Sequence, residues 1–220
     1  VWDAKTSQCT GAFGDGTLNM GRAVLSPAGS CVIHSDLVHG LSAWDCETGK
    51  CQWRDSSVDA MAHEFVACLA KGESIVLGGP GRRIHIYDVK QQRLKTTIPL
   101  HGSIEGSLSA LAVSPGGQTV AVADASTTAA QEAAPSRVWL LDLCSGKQRA
   151  MPVNMNAGTV STLAFSPDGN RLAVGDNRGV LTVWHVDGRF LARVLSRGSG
   201  ITTATFSQDG CILAFGDEDG

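Results

Sequence analysis

Short apolar runs separated by tight polar turns repeat along the whole chain. The clearest copies read ALAVSPGGQTVAVAD at 110–124, TLAFSPDGNRLAVGD at 162–176 and TATFSQDGCILAFGD at 203–217, and weaker copies lie at 22–36 and 65–79. The runs are rich in Val, Ile, Leu and Thr, and apolar and polar residues often alternate, which is typical of β-strands. The Pro and Gly residues between the runs favour tight turns. Each copy therefore predicts two strands joined by a hairpin, which we call strands a and b.

A second kind of unit follows each hairpin and ends in an apolar-aromatic-Asp-like triplet. The triplets are VWD at 1–3, AWD at 43–45, IYD at 86–88, LLD at 140–142 and VWH at 183–185. Another turn comes directly afterwards, as in the segments DCETGK, DLCSGK and HVDGR. This half of the repeat therefore predicts two more strands, c and d.

Two independent distances keep nearly the same value along the chain. The aromatic position of the triplet lies 15, 15, 24 and 15 residues after the hairpin glycines Gly29, Gly72, Gly117 and Gly169. The next hairpin glycine follows 27, 28, 30, 28 and 26 residues after that aromatic position. A period of about 43 residues with four strands in each repeat is typical of the blades of a β-propeller. The sequence therefore predicts an all-β propeller of four-stranded antiparallel blades.

The repeat also predicts the organisation of the chain as one propeller domain or segment. We expect four full blades at about 20–54, 63–98, 108–151 and 160–195, with half-blades at 1–13 and 201–216. The nine extra residues of the third full blade predict a polar loop insertion at 125–136.

The two half-blades are complementary, since the first supplies strands c and d and the last supplies a and b. Either they close a five-bladed ring across a break, or the chain is a segment of a larger propeller. We favour the segment, because five-bladed propellers are uncommon and the chain stops inside a blade. Joining Gly220 to Val1 would also leave the expected spacing about three residues short.

The SPDG turn at 166–169 together with the VWD triplet at 1–3 resembles the WD40 family, and the resemblance covers essentially the whole chain. It implies a propeller that serves as a scaffold for protein or peptide partners. Repeats of this family keep a hydrogen-bonded tetrad of His, Ser or Thr, Asp and Trp. By spacing, the Asp position here holds Val38, Gly81, Arg178 and Asp219, of which only the last fits. The His position holds Gly16, Asp59, Ile104, Asn156 and Arg197. We therefore expect stability to come from apolar packing between sheets, and the subfamily is left open.

Charge and cysteine content narrow the function classes. Charged residues make up 18% of the chain and the net charge is −3, so nothing attracts the whole protein to DNA or to an acidic membrane surface. No apolar stretch approaches the ~18 residues of a membrane-spanning helix. The seven cysteines are scattered without a C-x-x-C pair, which predicts a reducing, cytoplasmic location. We expect a part of a larger protein or complex, with neither DNA binding nor a membrane span.

Arginines gather in the predicted b–c and d–a loops, which share one face of a propeller. The candidate partner-binding residues are Arg82, Arg83, Arg137, Arg178 and Arg197. Guanidinium groups bind carboxylates and phosphates through paired hydrogen bonds, so we expect an acidic or phosphorylated protein or peptide partner. Binding of RNA or phosphoinositide through the same arginines is the alternative, and solvated turn residues are the simplest interpretation.

Motifs for catalysis, cofactors and metals are missing from the sequence. The six histidines occur without H-E-x-x-H or C-x-x-C, and the Gly-Lys pairs at 49–50 and 146–147 lack the rest of a phosphate-binding loop. The runs of strand a are apolar or small, which disfavours an enzyme that uses a central channel. We therefore predict a binding module with no catalytic residue, no cofactor and no metal.

Overall fold

The structure is a computed structural model in which every regular element is a β-strand. It describes residues 2–3, 8–9, 22–36, 40–57, 65–69, 72–79, 83–100, 107–124, 136–153, 158–196 and 199–219. Within these ranges the chain forms twenty strands and no helix. The expectation of an all-β protein is confirmed.

Four sheets have four antiparallel strands each, and two further sheets have two. The first two-stranded sheet pairs β1 (Trp2–Asp3) with β2 (Gln8–Cys9). The first four-stranded sheet contains β3 (Arg22–Leu25), β4 (Cys31–Asp36), β5 (Gly40–Asp45) and β6 (Cys51–Asp55). The second contains β7 (Phe65–Cys68), β8 (Ser74–Gly79), β9 (Arg83–Asp88) and β10 (Arg93–Pro99).

The remaining sheets continue the same order along the chain. The third four-stranded sheet contains β11 (Leu108–Val113), β12 (Thr119–Asp124), β13 (Val138–Asp142) and β14 (Gln148–Ala150). The fourth contains β15 (Val160–Phe165), β16 (Arg171–Asp176), β17 (Val180–His185) and β18 (Phe190–Leu195). The last pair is β19 (Ile201–Phe206) with β20 (Leu213–Asp217). In each four-stranded sheet, neighbours along the chain are also neighbours in the sheet, as the strand order a-b-c-d requires.

A serine fixes the hairpin between strands a and b. In the fourth sheet the backbone N–H of Arg171 donates to the Ser166 hydroxyl at 2.9 Å, and the N–H of Gly169 donates to the Ser166 carbonyl at 2.8 Å. The same serine position receives the equivalent N–H in three other hairpins, from Cys31, Thr119 and Ile212. The repeated S-x-x-G turn is therefore one hydrogen-bonded structure used again in successive repeats.

The strands form two compact units. Unit 1 contains Val1–Gly78 and His85–Thr97, and unit 2 contains Gly79–Ile84 and Ile98–Gly220. The core of unit 1 lies between the first and second four-stranded sheets, and its buried residues are Ile33, Leu41, Ala43, Ile75, Leu77 and Tyr87. Unit 2 has one core between the third and fourth sheets, built around Val138, Val160, Leu172 and Val174, and a second between the fourth sheet and β19–β20.

Several predictions concern residues whose structure is not described. The predicted His positions Gly16, Asp59, Ile104, Asn156 and Arg197 all lie outside the described residues, as do Val38 and Gly81. Of the insertion predicted at 125–136, only Ser136 is described; it is buried, and its hydroxyl accepts the N–H of Val160 at 3.2 Å. The choice between a closed ring and a segment, and the assignment of one domain, stay predictions.

Candidate functional site

The b–c turns and the d–a connections lie at one end of the four-stranded sheets. We call this end in unit 2 the loop face, and its described residues are Asp124, Arg137, Gly158–Thr159, Asp176–Gly179, Ser199–Gly200 and Asp217–Asp219. The a–b and c–d turns lie at the other end, because successive strands are antiparallel. This is the end at which the sequence places its candidate arginines.

A buried carboxylate fixes the b–c turn of the fourth sheet. Asp176 ends β16 with only 1% of its surface exposed. Its Oδ1 accepts the N–H of Val180 at 2.8 Å and the N–H of Arg178 at 3.0 Å. These two bonds satisfy the backbone N–H groups of Arg178 and Val180, so the backbone that carries Arg178 is held by the buried carboxylate.

Neighbouring connections hold the same turn from two sides. On one side, the Asn177 side chain accepts the N–H of Thr159 at 2.9 Å, and the Asn177 N–H donates to the Thr159 carbonyl at 3.0 Å. On the other side, the N–H of Ser196 donates to the Gly179 carbonyl at 2.7 Å. Gly179 has φ of +80°, and a Cβ there would come within 2.6 Å of the Ser199 carbonyl oxygen. The position therefore requires glycine for both its conformation and its space.

Equivalent carboxylates end strand b elsewhere in unit 2. Asp124, 5% exposed, accepts the N–H of Arg137 at 2.6 Å. Burial raises the pKa of Asp124, and the hydrogen bond from Arg137 only partly opposes this shift. Asp217 accepts the N–H of Asp219 at 3.2 Å and the hydroxyl of Ser196 at 2.6 Å. A carboxylate at the end of strand b is thus the repeated anchor of this face.

Spacing places the Asp position of the family tetrad at Arg178 and Asp219, but the carboxylates that anchor the b–c turns lie two residues earlier. In the structure the anchoring carboxylates are Asp176 and Asp217, whereas Arg178 and Asp219 are exposed. The signal was present in the sequence, because the segments VAD, VGD and FGD close strand b in three successive repeats.

The candidate arginines differ in how far the structure describes them. Arg137 and Arg178 are exposed at the same end of two adjacent sheets, and Arg83 is exposed at the first position of β9. The guanidinium groups of these three make no hydrogen bond that is recorded among the described residues, and no contact joins them to one another. Arg82 and Arg197 lie outside the described residues. Glu218 and Asp219 are exposed on the same face and offset part of its positive charge.

The described histidine, cysteine and acidic side chains form no metal site, and the described cysteines form no disulfide. No group of three or more His, Cys, Asp or Glu residues in this part of the chain could hold a metal ion. The cysteines whose side chains the structure describes are free thiols: Cys31, Cys46, Cys51, Cys68, Cys144 and Cys211. Across the described ranges, no helix has the length and apolar character that crossing a membrane requires.

Repeated four-stranded antiparallel sheets with one period along the chain define a β-propeller type of architecture. Comparison with protein families adds a direct match: the family model "WD domain, G-beta repeat" matches residues 152–185, which contain strands a to c of the fourth sheet. Comparison with curated proteins finds no match. Residues 152–185 thus match a WD40 repeat, and the four-stranded sheets fit a WD40 β-propeller, so the resemblance drawn from the sequence is confirmed. Domains of this family generally mediate protein–protein interaction and are typically scaffolds without enzymatic activity.

Proposed function

We propose that this chain is a protein-interaction module that binds an acidic or phosphorylated peptide segment of its partner at the loop face of unit 2. The observation that carries the proposal is the b–c turn of the fourth sheet, where buried Asp176 holds the backbone of exposed Arg178. A fixed backbone with an exposed guanidinium group is suited to recognise a carboxylate or a phosphate.

Arg137 supports the same function from the adjacent sheet. Its backbone N–H is bound to buried Asp124 at 2.6 Å, while its side chain is exposed. Because hydrogen bonds already hold the backbone at Arg137 and at Arg178 before binding, little backbone entropy is lost there when a partner docks. Two arginines on adjacent sheets would bind an extended acidic segment that crosses from one sheet to the next.

The proposal extends to the arginines that the structure leaves untested. Arg82 and Arg197 belong to the predicted b–c and d–a loops, and Arg83 is exposed at the first position of β9; we assign all three to the same binding surface. We further propose that the module acts without catalysis inside a larger cytoplasmic protein or assembly. The free thiols Cys31, Cys46 and Cys68 are consistent with the reducing compartment that this location provides.

The proposal is tested with a fluorescein-labelled peptide that carries phosphoserine between aspartates, measured by fluorescence anisotropy. Replacing both Arg137→Glu and Arg178→Glu is expected to weaken binding about tenfold or more, since each change turns an attraction into a repulsion. The matched control is Arg189→Glu, which reverses an exposed charge in the c–d turn of the fourth sheet, at the other end of the same strands.

Two results would overturn the proposal. Unchanged binding in the double variant would exclude these arginines, and equal weakening by Arg189→Glu would show attraction without a defined face. The protein could also bind phosphoinositide vesicles or single-stranded RNA more tightly than the phosphoserine peptide. If the double variant loses that binding, the same surface binds one of these alternative ligands instead of an acidic peptide. Raising the salt concentration distinguishes the last case, because nucleic-acid affinity falls steeply with salt.

A further inference from the structure

Strand d contributes different residues to the space between adjacent sheets in the two units. In unit 1, Trp53 of β6 is paired with Ala43, the residue before the aromatic position of the triplet. In unit 2, Arg149 of β14 is paired with Leu140, which also precedes that position. The register therefore makes Trp53 and Arg149 equivalent, although no similarity in their local sequence indicates it.

The indole of Trp53 fills the space between two sheets. Its ring stacks on Tyr87 of β9 with the ring centroids 6.1 Å apart and the planes 26° apart. Trp53 also packs against the buried core of unit 1. At this position of unit 1, an aromatic side chain thus completes the contact between one sheet and the next.

Arg149 leaves the equivalent space in unit 2 open. Its guanidinium group reaches across to donate a hydrogen bond to the carbonyl oxygen of Val186, beyond the end of β17. Beside it lies a cavity of about 430 Å³. We call this cavity the Arg149 pocket, and its lining includes Leu140, Asp142, Lys147, Arg149, Phe165 and Val186. Its volume falls within the range of ligand-binding cavities.

The lining combines an apolar wall with a positively charged edge. Leu140, Phe165 and Val186 supply the apolar wall and also belong to, or pack against, the core of unit 2. Lys147 and Arg149 are exposed cations, and Asp142 is the single carboxylate among the named lining residues.

Asp142 is already occupied by its own turn. It accepts the N–H of Ser145 at 2.7 Å, the hydroxyl of Ser145 at 2.7 Å and the N–H of Cys144 at 3.1 Å. These bonds from Ser145, with the nearby Lys147 charge adding to them, hold the pKa of Asp142 below its usual value. Lys147 and Arg149 are two positive charges, whereas Asp142 is one negative charge that is already hydrogen-bonded within its own turn. The edge of the pocket is therefore positively charged.

We propose that the Arg149 pocket is a second peptide-binding site, which takes an aromatic side chain flanked by Asp or Glu residues from a protein partner. The aromatic ring lies where Trp53 lies in unit 1, against Leu140, Phe165 and Val186. The flanking carboxylate binds Lys147 or Arg149. This site is at the a–b and c–d turn end of the sheets, opposite to the loop face, so it is separate from the surface of the proposed function.

A peptide is favoured over a small solute because the pocket lies beside an open sheet edge. β14 is the last strand of the third sheet, and its three residues Gln148–Ala150 are mostly exposed. An extended segment can therefore place its side chain in the cavity while its backbone runs along that edge.

The test uses the whole chain with two fluorescein-labelled peptides, Glu-Glu-Trp-Glu-Glu and Glu-Glu-Ala-Glu-Glu. We expect the Trp peptide to bind about tenfold or more tightly than the Ala peptide, because only the indole fills the cavity. Arg149→Trp should remove this preference by placing an indole in the pocket, as Trp53 does in unit 1. Lys147→Glu should weaken the Trp peptide about fivefold or more through lost charge attraction.

Lys50→Glu is the matched control, since Lys50 follows the Thr-Gly of the equivalent c–d turn in unit 1 and lies outside the pocket. Equal affinity for the two peptides, or a preference for Trp that survives Arg149→Trp, would overturn the proposal. If Arg149→Trp fails to fold, Lys147→Glu still decides, because that side chain is exposed. Arg178→Glu separates this proposal from the proposed function of the loop face. It should leave the ratio of the affinities for the Trp and Ala peptides unchanged, because Arg178 lies outside the Arg149 pocket.

Discussion

The phenol of Tyr87 donates a hydrogen bond of 2.5 Å to the carboxylate of Asp55, and this bond joins two adjacent sheets of unit 1. Tyr87 is fully buried at the aromatic position of its triplet, while Asp55 is the last residue of β6. The same tyrosine ring stacks on Trp53. The contact between these sheets therefore combines apolar packing with a hydrogen bond from a buried tyrosine to a carboxylate.

Removal of this anchor should destabilise the protein measurably. Tyr87→Phe keeps the ring and deletes only the donor, so we expect the free energy of unfolding to fall by about 1.5–3 kcal/mol, as for other hydrogen bonds to a charged group. Urea unfolding followed by tryptophan fluorescence measures the loss. A double-mutant cycle with Asp55→Asn is the control, because losses that add in full would mean that the two residues do not interact.

The same pair predicts a pH dependence with a definite sign. Burial alone would raise the pKa of Asp55, but hydrogen bonds from Ser57 and Tyr87 outweigh it and lower the pKa below the usual value. A lowered pKa gives stability that is present above the carboxyl pKa of about 4 in the unfolded chain and lost as the pH falls through the lower folded value. Burial, the hydrogen bond to Asp55 and the charge of Asp55 raise the pKa of Tyr87, so its contribution is complete below the unfolded-chain value of ~10 and is lost as the pH rises from there through the higher folded value.

Unfolding free energy measured between pH 2 and pH 7 should therefore decline more steeply in the wild type than in Asp55→Asn. A wild type and an Asp55→Asn variant with parallel pH profiles would contradict the assignment.

The strands and turns were readable from the sequence because they depend on local properties. The alternation in VLTVWH and the serine-to-glycine turn at 166–169 each determine a short stretch of backbone with few distant contacts. The structure accordingly has β17 at Val180–His185 and the hairpin bonds of Ser166 where the repeat predicts them. The candidate loops could be predicted for the same reason, since they are the segments between those strands.

The roles of individual side chains were less predictable because they depend on register and on neighbouring sheets. The d–a connection at Gly158 packs directly against the buried Asp176; a Cβ on Gly158 would lie within 2.4 Å of its carboxylate. The equivalence of Trp53 and Arg149 becomes visible only when each is seen paired with the residue before the aromatic position. The linear sequence does not show that pairing, since the two c–d turns have the same length but only the β5–β6 pair contains a bulge, between Ala43 and Trp44.

The buried carboxylate of the b–c turn should be a principal source of local stability in unit 2. Asp176→Ala leaves the N–H groups of Arg178 and Val180 without their acceptor, so we expect a loss of about 2–3 kcal/mol. Thermal and urea unfolding measure it. Asp219→Ala removes an exposed carboxylate from the equivalent turn of the next hairpin and should change stability by no more than about 0.5 kcal/mol. Equal effects of the two substitutions would refute the anchoring role of Asp176.

The strictest test of the loop face is the glycine that follows Arg178. Gly179→Ala must accept both a positive φ and a Cβ within 2.6 Å of the Ser199 carbonyl oxygen. Gly146 has φ of +70° with open space around the Cβ position. Gly146→Ala therefore measures the cost of the positive φ alone, which we expect to be about 1 kcal/mol of unfolding free energy. Gly116 has open space without the positive φ, and Gly116→Ala should be neutral within about 0.5 kcal/mol.

We therefore expect the loss of unfolding free energy to rise from Gly116→Ala through Gly146→Ala to Gly179→Ala. Only the last should also weaken the phosphoserine peptide, because only that substitution displaces the turn that carries Arg178. If Gly179→Ala destabilises no more than Gly146→Ala, the d–a connection does not press on this turn, and the fixed presentation of Arg178 is wrong.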